Sequence, residues 1–225
     1  MEGLDVGQIL FYITAGALPV LLAITLHEVA HGWVAYKLGD GTAKMLGRLT
    51  LNPFRHIDPV GTIALPIGML VVSLLTVGQP FAFGWAKRIP VNTRFLKNIR
   101  RDMALIAIAG PLANLAMAVV WAILLGVFAK WISDPSLAIG FVTTAKIGVI
   151  FNLVLLVLNL LPVPSLDGAR VLAGVAPRNV ADVLERLEPY GFLILMLLLF
   201  SNVLDGVIGG AVGALYQILL SLFVH

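Results

Sequence analysis

Three ionisable residues, His27, Glu28 and His31, lie in a stretch of sequence that is otherwise apolar. Because the two histidines have i, i+4 spacing, a helix would place both imidazoles on one face, where they can bind one metal ion. Glu28 would project about 100° round the helix from His27, beside the metal and not on it. There its carboxylate can take a proton from a water molecule. This H-E-x-x-H spacing is typical of metallopeptidases, in which it supplies two metal ligands and a general base.

The composition of the chain indicates that lipid surrounds these residues. Hydrophobic residues make up 60% of the 225, and charged residues make up 12%, whereas a soluble domain carries about 25% charged residues. Such a chain has too few polar groups to cover its exterior in water, and its long unbroken apolar runs argue against a β-barrel. The sequence therefore predicts an all-α polytopic membrane protein. Since cysteine is absent, a metal site has to use His, Asp, Glu or carbonyl ligands.

A polar cluster without metal is the alternative interpretation of the "HEVAH" stretch. The imidazoles of His27 and His31 would then bond neighbouring helices, and Glu28 would face a loop. The membrane setting favours the metal, because an ionisable side chain at bilayer depth costs about 2.5–3.5 kcal/mol. Three such groups so close together need a partner, and a divalent cation suits all of them.

A third metal ligand is expected elsewhere in the chain, because a catalytic zinc usually has three protein ligands and one open position. His56 lies in a basic loop, and His225 is the C-terminal residue. Asp167 follows the fourth apolar run, in "NLLPVPSLDG". It can also be interpreted as a turn residue, since Asp-Gly is a strong turn signal. For a histidine pair that lacks a third ligand, Asp167 is the best candidate.

The sequence just before Asp167 cannot form a regular helix. Pro162 and Pro164 prevent it, which leaves free backbone groups in the protein interior. These groups and the Asn159 amide either bond one another and water or hold an extended substrate peptide. A second amide, Asn114, lies among small residues in an apolar run, where helix packing is the favoured interpretation.

The apolar runs that must position these residues are separated by basic or turn-forming segments. We expect one membrane-embedded domain, 1–225, with a core over 7–175, C-terminal helices over 179–225 and about five to six transmembrane helices. The last run is long enough for two spans. The runs cover residues 7–37, 59–77, 102–131, 139–161 and 191–224.

The distribution of basic residues predicts the orientation of the chain. Segments 37–58 and 78–101 are both basic and are both expected in the cytoplasm. A single crossing by 59–77 would place them on opposite sides, so either that run is re-entrant or shallow, or the charge rule fails for one loop. Pro66 and the nearby glycines favour the re-entrant interpretation. The histidines and Asp167 then lie toward the cytoplasmic face.

Taken together, "HEVAH" (27–31), "AGPLANL" (109–115) and "NLLPVPSLDG" (159–168) resemble the site-2 protease family of intramembrane zinc metallopeptidases. Segments 47–62 and 83–92 also look like segments of that family. The resemblance covers about residues 20–175. The chain looks like a compact form, because no PDZ insertion or nucleotide-binding appendage is evident.

The resemblance implies roles for individual residues. His27, His31 and Asp167 would bind one Zn²⁺ per chain, Glu28 would be the catalytic base, and Asn159 would orient the substrate or stabilise the developing charge. Segments 47–53 and 81–91 would form a small membrane-associated β element. In it, Phe83, Gly84, Trp85 and Ala86 would pair with an extended substrate.

The implied activity is hydrolysis of peptide bonds within or next to transmembrane segments of other proteins, as in regulated intramembrane proteolysis. The expected partners are a transmembrane protein substrate and the lipid bilayer, with no nucleic acid. The small residues of 206–214 would pack either within the protein or between the subunits of a homo-oligomer. The expected location is a bacterial or archaeal cell membrane, with the active site toward the cytoplasm.

Two other functions fit part of the pattern. A metal transporter or sensor also places ionisable groups at broken helices, but it predicts several such groups along a path and often internal repeats. The sequence offers one compact cluster and no evident repeat. An inactive relative that only holds membrane partners is disfavoured, because the ligand set and Glu28 are all present.

Overall fold

A computed structural model describes residues 6–76, 84–201 and 203–224, and these residues are largely helical. Short 3₁₀ turns occur at Pro53–Arg55, Thr93–Phe95 and Glu188–Tyr190, and a π-helical segment at Pro59–Ala64 leads into α3. The α-helices are α1 (Val6–Lys37), α2 (Thr42–Met45), α3 (Leu65–Thr76), α4 (Ile99–Trp131), α5 (Pro135–Leu160), α6 (Asp167–Val175), α7 (Arg178–Leu187), α8 (Gly191–Phe200) and α9 (Val203–Phe223).

Among the described residues, four helical segments are long and apolar enough to cross a membrane. They are Leu10–Lys37, Ile99–Trp131, Pro135–Leu160 and Val203–Phe223. The protein is therefore an integral membrane protein, and the predicted all-α polytopic class is confirmed. The ten residues of α8 extend only about 15 Å, against a hydrocarbon core of about 30 Å. The predicted total of about five to six spans is not confirmed beyond these four.

The starts of the two central helices follow from their capping residues. The side chain of Asn98 accepts a hydrogen bond from the backbone of Arg101 at the start of α4. At the start of α5, Asp134 accepts from the N–H groups of Ser136 and Leu137, and Pro135 occupies the first helical position. Both caps satisfy amides that a helix leaves unpaired at its N-terminus.

Helix α4 is central, because it packs against α1, α5 and α6, and α1 and α5 also contact each other. Gly148 of α5 lies against the indole of Trp121, so close that a β-carbon there would overlap the ring. This close approach lets the two helices bury a continuous apolar seam. The buried seam consists of Ala118, Trp121, Ala122 and Leu125 of α4, Ala145, Val149, Leu153 and Leu156 of α5, and Leu219 of α9.

The predicted β element is not confirmed, because the described residues contain no strand. Residues 84–92 have an irregular conformation up to the turn at Thr93. Trp85 N–H donates to the carbonyl of Gly61 at 3.0 Å, and Lys87 N–H donates to the carbonyl of His56 at 2.9 Å. These acceptors lie in helical turns started by Pro53 and Pro59, so the two bonds do not extend into a ladder. Whether 59–77 is re-entrant stays a prediction.

Candidate active site

Helix α1 places His27 and His31 toward the interior of the protein. Both are buried, with 8% and 9% of their surfaces exposed. Their rings lie edge to face with centroids 4.6 Å apart, and the two Nε2 atoms are 3.0 Å apart. Both imidazoles therefore lie on the same face of α1, as their i, i+4 spacing predicts.

Asp167, the first residue of α6, brings the third side chain to the histidines. Its Oδ2 atom lies 3.2 Å from Nε2 of His27 and 3.3 Å from Nε2 of His31. The loop before α6 makes a sharp turn in which Ser165 adopts a left-handed conformation, with φ of 74°. Arg88 holds this turn by donating to the carbonyl of Ser165 at 2.6 Å. At the other end of α6, Arg100 donates to the carbonyl of Ala173 at 2.7 Å, so both ends of α6 are fixed.

Hydrogen bonds from α4 determine which ring nitrogens face the cluster. Nδ1 of His27 lies 2.6 Å from Oδ1 of Asn114, and Nδ1 of His31 lies 2.7 Å from the carbonyl oxygen of Ile106. Both partners can only accept, so both Nδ1 atoms carry a proton. In the neutral imidazoles, each Nε2 therefore presents a lone pair to the other and to Asp167.

These three atoms fit a divalent metal ion. Oδ2 of Asp167 is buried and has no hydrogen-bond donor, and it faces two nitrogens that also lack protons. Three lone-pair atoms within 4.8 Å of one another repel unless a cation lies between them. Two imidazole nitrogens and one carboxylate oxygen, with no thiolate, form a ligand set of the catalytic-zinc type, which leaves a fourth position open. Gly110 faces the pair with no side chain, since a β-carbon there would lie 2.6 Å from Cε1 of His27.

Glu28 lies beside this cluster and is not a member of it. It is buried, with 8% of its surface exposed, and its Oε2 accepts a hydrogen bond from the backbone N–H of Ile89 at 2.9 Å. The segment that contains Ile89 is anchored a second time, since Asn92 N–H donates to Oδ2 of Asp40 at 2.7 Å. The carboxylate is thus held in one orientation next to the histidines.

Three curated proteins are similar to this chain over most of its length. "Putative zinc metalloprotease YwhC" of Bacillus subtilis (strain 168) is 39% identical over 181 residues, which are 80% of this chain and 77% of that protein. The protein named Rip2, described in the same terms, is 34% identical over 186 residues in Mycolicibacterium smegmatis, which are 82% of this chain and 66% of that protein. Rip2 of Mycobacterium tuberculosis (strain H37Rv) is 32% identical over 198 residues, which are 88% of this chain and 71% of that protein.

This chain belongs to the site-2 protease family of zinc metalloproteases. No family model and no solved structure matches it. The relatives and the ligand geometry agree on an enzyme that uses zinc, and the four apolar helices place this metalloprotease in a lipid bilayer.

None of the described hydrogen bonds links the remaining predicted site residues of the protease to the ligand cluster. Asn159 is half-buried, and its Nδ2 donates to the carbonyl of Leu155 one turn earlier, at 2.9 Å. Of the predicted substrate-pairing residues, Phe83 lies outside the described residues. Gly84, Trp85 and Ala86 lie in the irregular segment, and the indole of Trp85 packs edge-on against Phe192 at 5.5 Å.

Sequence reasoning missed two contacts of the site in this protease. It favoured helix packing for Asn114, whereas the structure hydrogen-bonds this amide to His27. The only signal was an amide in an apolar helix. It also missed the backbone N–H of Ile89 at Glu28, for which no side-chain signal exists.

Proposed function

We propose that this metalloprotease hydrolyses peptide bonds within or next to transmembrane segments of other membrane proteins. The observation that carries the proposal is the convergence of half-buried Asp167 on buried His27 and His31. The two histidines and Glu28 lie on α1, a helix that is long and apolar enough to cross a membrane. A protease whose reacting groups are carried by a membrane helix meets substrates that lie in the same membrane. The roles of individual residues below are part of this proposal.

His27, His31 and Asp167 would hold the zinc ion. When bound, zinc acts as a Lewis acid that polarises a carbonyl and brings the pKa of water to about 7. Glu28 would take the proton of the attacking water and pass it to the nitrogen of the leaving amine. The N–H of Ile89, 2.9 Å from Oε2, would keep this carboxylate in place through both transfers.

The substrate would be bound in an extended form, because a helix hides its carbonyl groups from attack. Gly84, Trp85 and Ala86, with Phe83, would offer backbone groups to such a peptide by strand addition. Asn159 would orient the peptide or stabilise the charge that develops on its carbonyl. The basic loops would lie in the cytoplasm, so water would reach the site from that side.

A reconstituted cleavage assay tests this proposal. The purified protease is placed in liposomes with a single-span substrate whose apolar segment contains Gly or Pro, and mass spectrometry locates the cut. The matched controls are Glu28→Gln, which should abolish cleavage, and a soluble peptide with the juxtamembrane sequence only. We expect a cut within or next to the apolar segment. Cleavage of the soluble peptide alone, or normal cleavage by Glu28→Gln, would refute the proposal.

A further inference from the structure

Two asparagines, Asn114 on α4 and Asn152 on α5, are completely buried between the helices that carry and support the site. A buried amide without partners is costly in an apolar interior. Here the polar atoms form a chain of hydrogen bonds. Nδ2 of Asn152 donates to the carbonyl of Gly148 at 2.8 Å, and Nδ2 of Asn114 donates to Oδ1 of Asn152 at 3.0 Å. Oδ1 of Asn114 then accepts from His27 at 2.6 Å.

This chain of bonds can run in one direction only. The backbone carbonyl of Gly148 accepts and cannot donate, so the NH₂ group of Asn152 has to face it. Oδ1 of Asn152 then faces Asn114 and can only accept, so the NH₂ group of Asn114 has to donate to it. The carbonyl of Ala23, 3.3 Å from Nδ2 of Asn114, also accepts a hydrogen bond from this NH₂ group. Oδ1 of Asn114 is left facing His27, whose Nδ1 must carry the proton.

A comparison with His31 shows why His27 needs this chain of hydrogen bonds, which we call the relay. His31 bonds the backbone carbonyl of Ile106, which has no donor group that could replace its oxygen. His27 bonds a side-chain amide, which can exchange its oxygen and nitrogen by rotating. A rotated Asn114 would point its NH₂ group at His27 and force the proton onto Nε2, the atom that faces Asp167.

We propose that Asn152 and Asn114 are positioning residues that fix the tautomer of His27 so that its Nε2 lone pair faces the metal. The proposal rests on the role of His27 as a zinc ligand in the proposed function. Outer partners of metal-binding histidines typically contribute about 10- to 100-fold to metal affinity. Asn152 acts across two hydrogen bonds, from a helix that supplies none of the three proposed ligands.

The first experiment measures zinc affinity by competition with a chelator in detergent-solubilised protein. Asn114→Leu and Asn152→Leu remove the amides at similar volume, and both should bind zinc about 10- to 100-fold more weakly. Asn114→Asp keeps an oxygen that accepts from His27, and its affinity should return to within about threefold of wild type, since carboxylates serve this role in other zinc sites. Leu153→Ala is the matched control. It opens a cavity beside Asn152 in the same buried seam, and it should lower stability without changing zinc affinity.

The second experiment reads the tautomer directly in the metal-free protein. ¹⁵N NMR of labelled histidine, assigned to His27 by comparison with a His27→Gln variant, should report the proton on Nδ1 in wild type and a mixture in Asn152→Leu. An unchanged His27 signal together with unchanged zinc affinity in Asn152→Leu would overturn the relay. If His27→Gln itself keeps full zinc affinity, the ligand assignment in the proposed function is wrong, and the NMR result still decides the tautomer.

Discussion

Oδ2 of Asp167 lies 3.2 Å from Nε2 of His27, although one residue begins a short helix late in the core and the other lies on the first membrane helix. In the neutral imidazole, the proton of His27 lies on Nδ1 and is donated to Asn114, so Nε2 and Oδ2 are both acceptors. Two buried acceptors at this distance repel each other unless a proton or a metal cation lies between them.

Gly110 should be required for zinc binding. Its α-carbon faces the histidines so closely that the methyl group of Gly110→Ala would overlap His31 and lie 2.6 Å from Cε1 of His27. Such overpacking costs about 1–3 kcal/mol, and about tenfold in affinity is lost per 1.4 kcal/mol. We expect zinc to bind about 10- to 100-fold more weakly in a chelator competition. Gly140→Ala on α5, where a β-carbon meets open space, is the control and should bind zinc normally; equal affinities of the two variants would count against the cluster geometry.

The N–H group of Ile89 should matter for catalysis and not for zinc binding. Ile89→Pro removes the donor that holds Oε2 of Glu28, whereas Ile89→Val keeps it. Because misplacing a catalytic group by about 1 Å can cost about 100-fold, we expect cleavage to fall about 10- to 100-fold in Ile89→Pro with zinc content unchanged. Ile89→Val should cleave at close to the wild-type rate. A Pro variant with full activity would show that this hydrogen bond does not orient the base.

Asp40 should make stability depend on pH in the acidic range. It lies beyond the end of α1, and its pKa is below the ordinary value of 3.8: burial raises it, and hydrogen bonds from Thr42 and from the backbone of Asn92 outweigh the burial. A lowered folded pKa stabilises the protein above the unfolded pKa, and this stability is lost as pH falls through the folded pKa.

The test of Asp40 compares the melting temperatures of wild type and Asp40→Asn in detergent between pH 7 and pH 3. The variant should be less stable at pH 7, and the difference should shrink as pH falls below about 4. Asp205→Asn, exposed at the start of α9, is the matched control. A difference between wild type and Asp40→Asn that stays constant over this range would contradict the assignment.

The part of the site that lies on one helix could be predicted from the sequence. Spacing alone places His27 and His31 on one face with Glu28 beside them, because helical geometry is fixed. Asp167 could be found only as an ionisable residue that an apolar chain does not otherwise explain. Its position 3.2 Å from His27 depends on how α6 is held by Arg88 and Arg100, which no local pattern reveals.

Contacts between helices are the part that the sequence could not supply. Asn114 bonds His27 and Asn152 because of the register among α1, α4 and α5, and that register depends on close approaches such as Gly148 on Trp121. Whether the predicted β element forms likewise depends on tertiary contacts. Residues of the irregular segment such as Trp85 bond helical turns in the described structure, so a preference for β conformation in their sequence would not by itself form a strand.

The most direct test of the proposed zinc ligands and catalytic base separates metal binding from proton transfer. Zinc content and cleavage of a single-span substrate are measured together in wild type, Glu28→Gln and Asp167→Ala. We expect full zinc content and no cleavage for Glu28→Gln, and loss of both zinc and cleavage for Asp167→Ala. Full zinc content in Asp167→Ala would show that Asp167 is not the third zinc ligand.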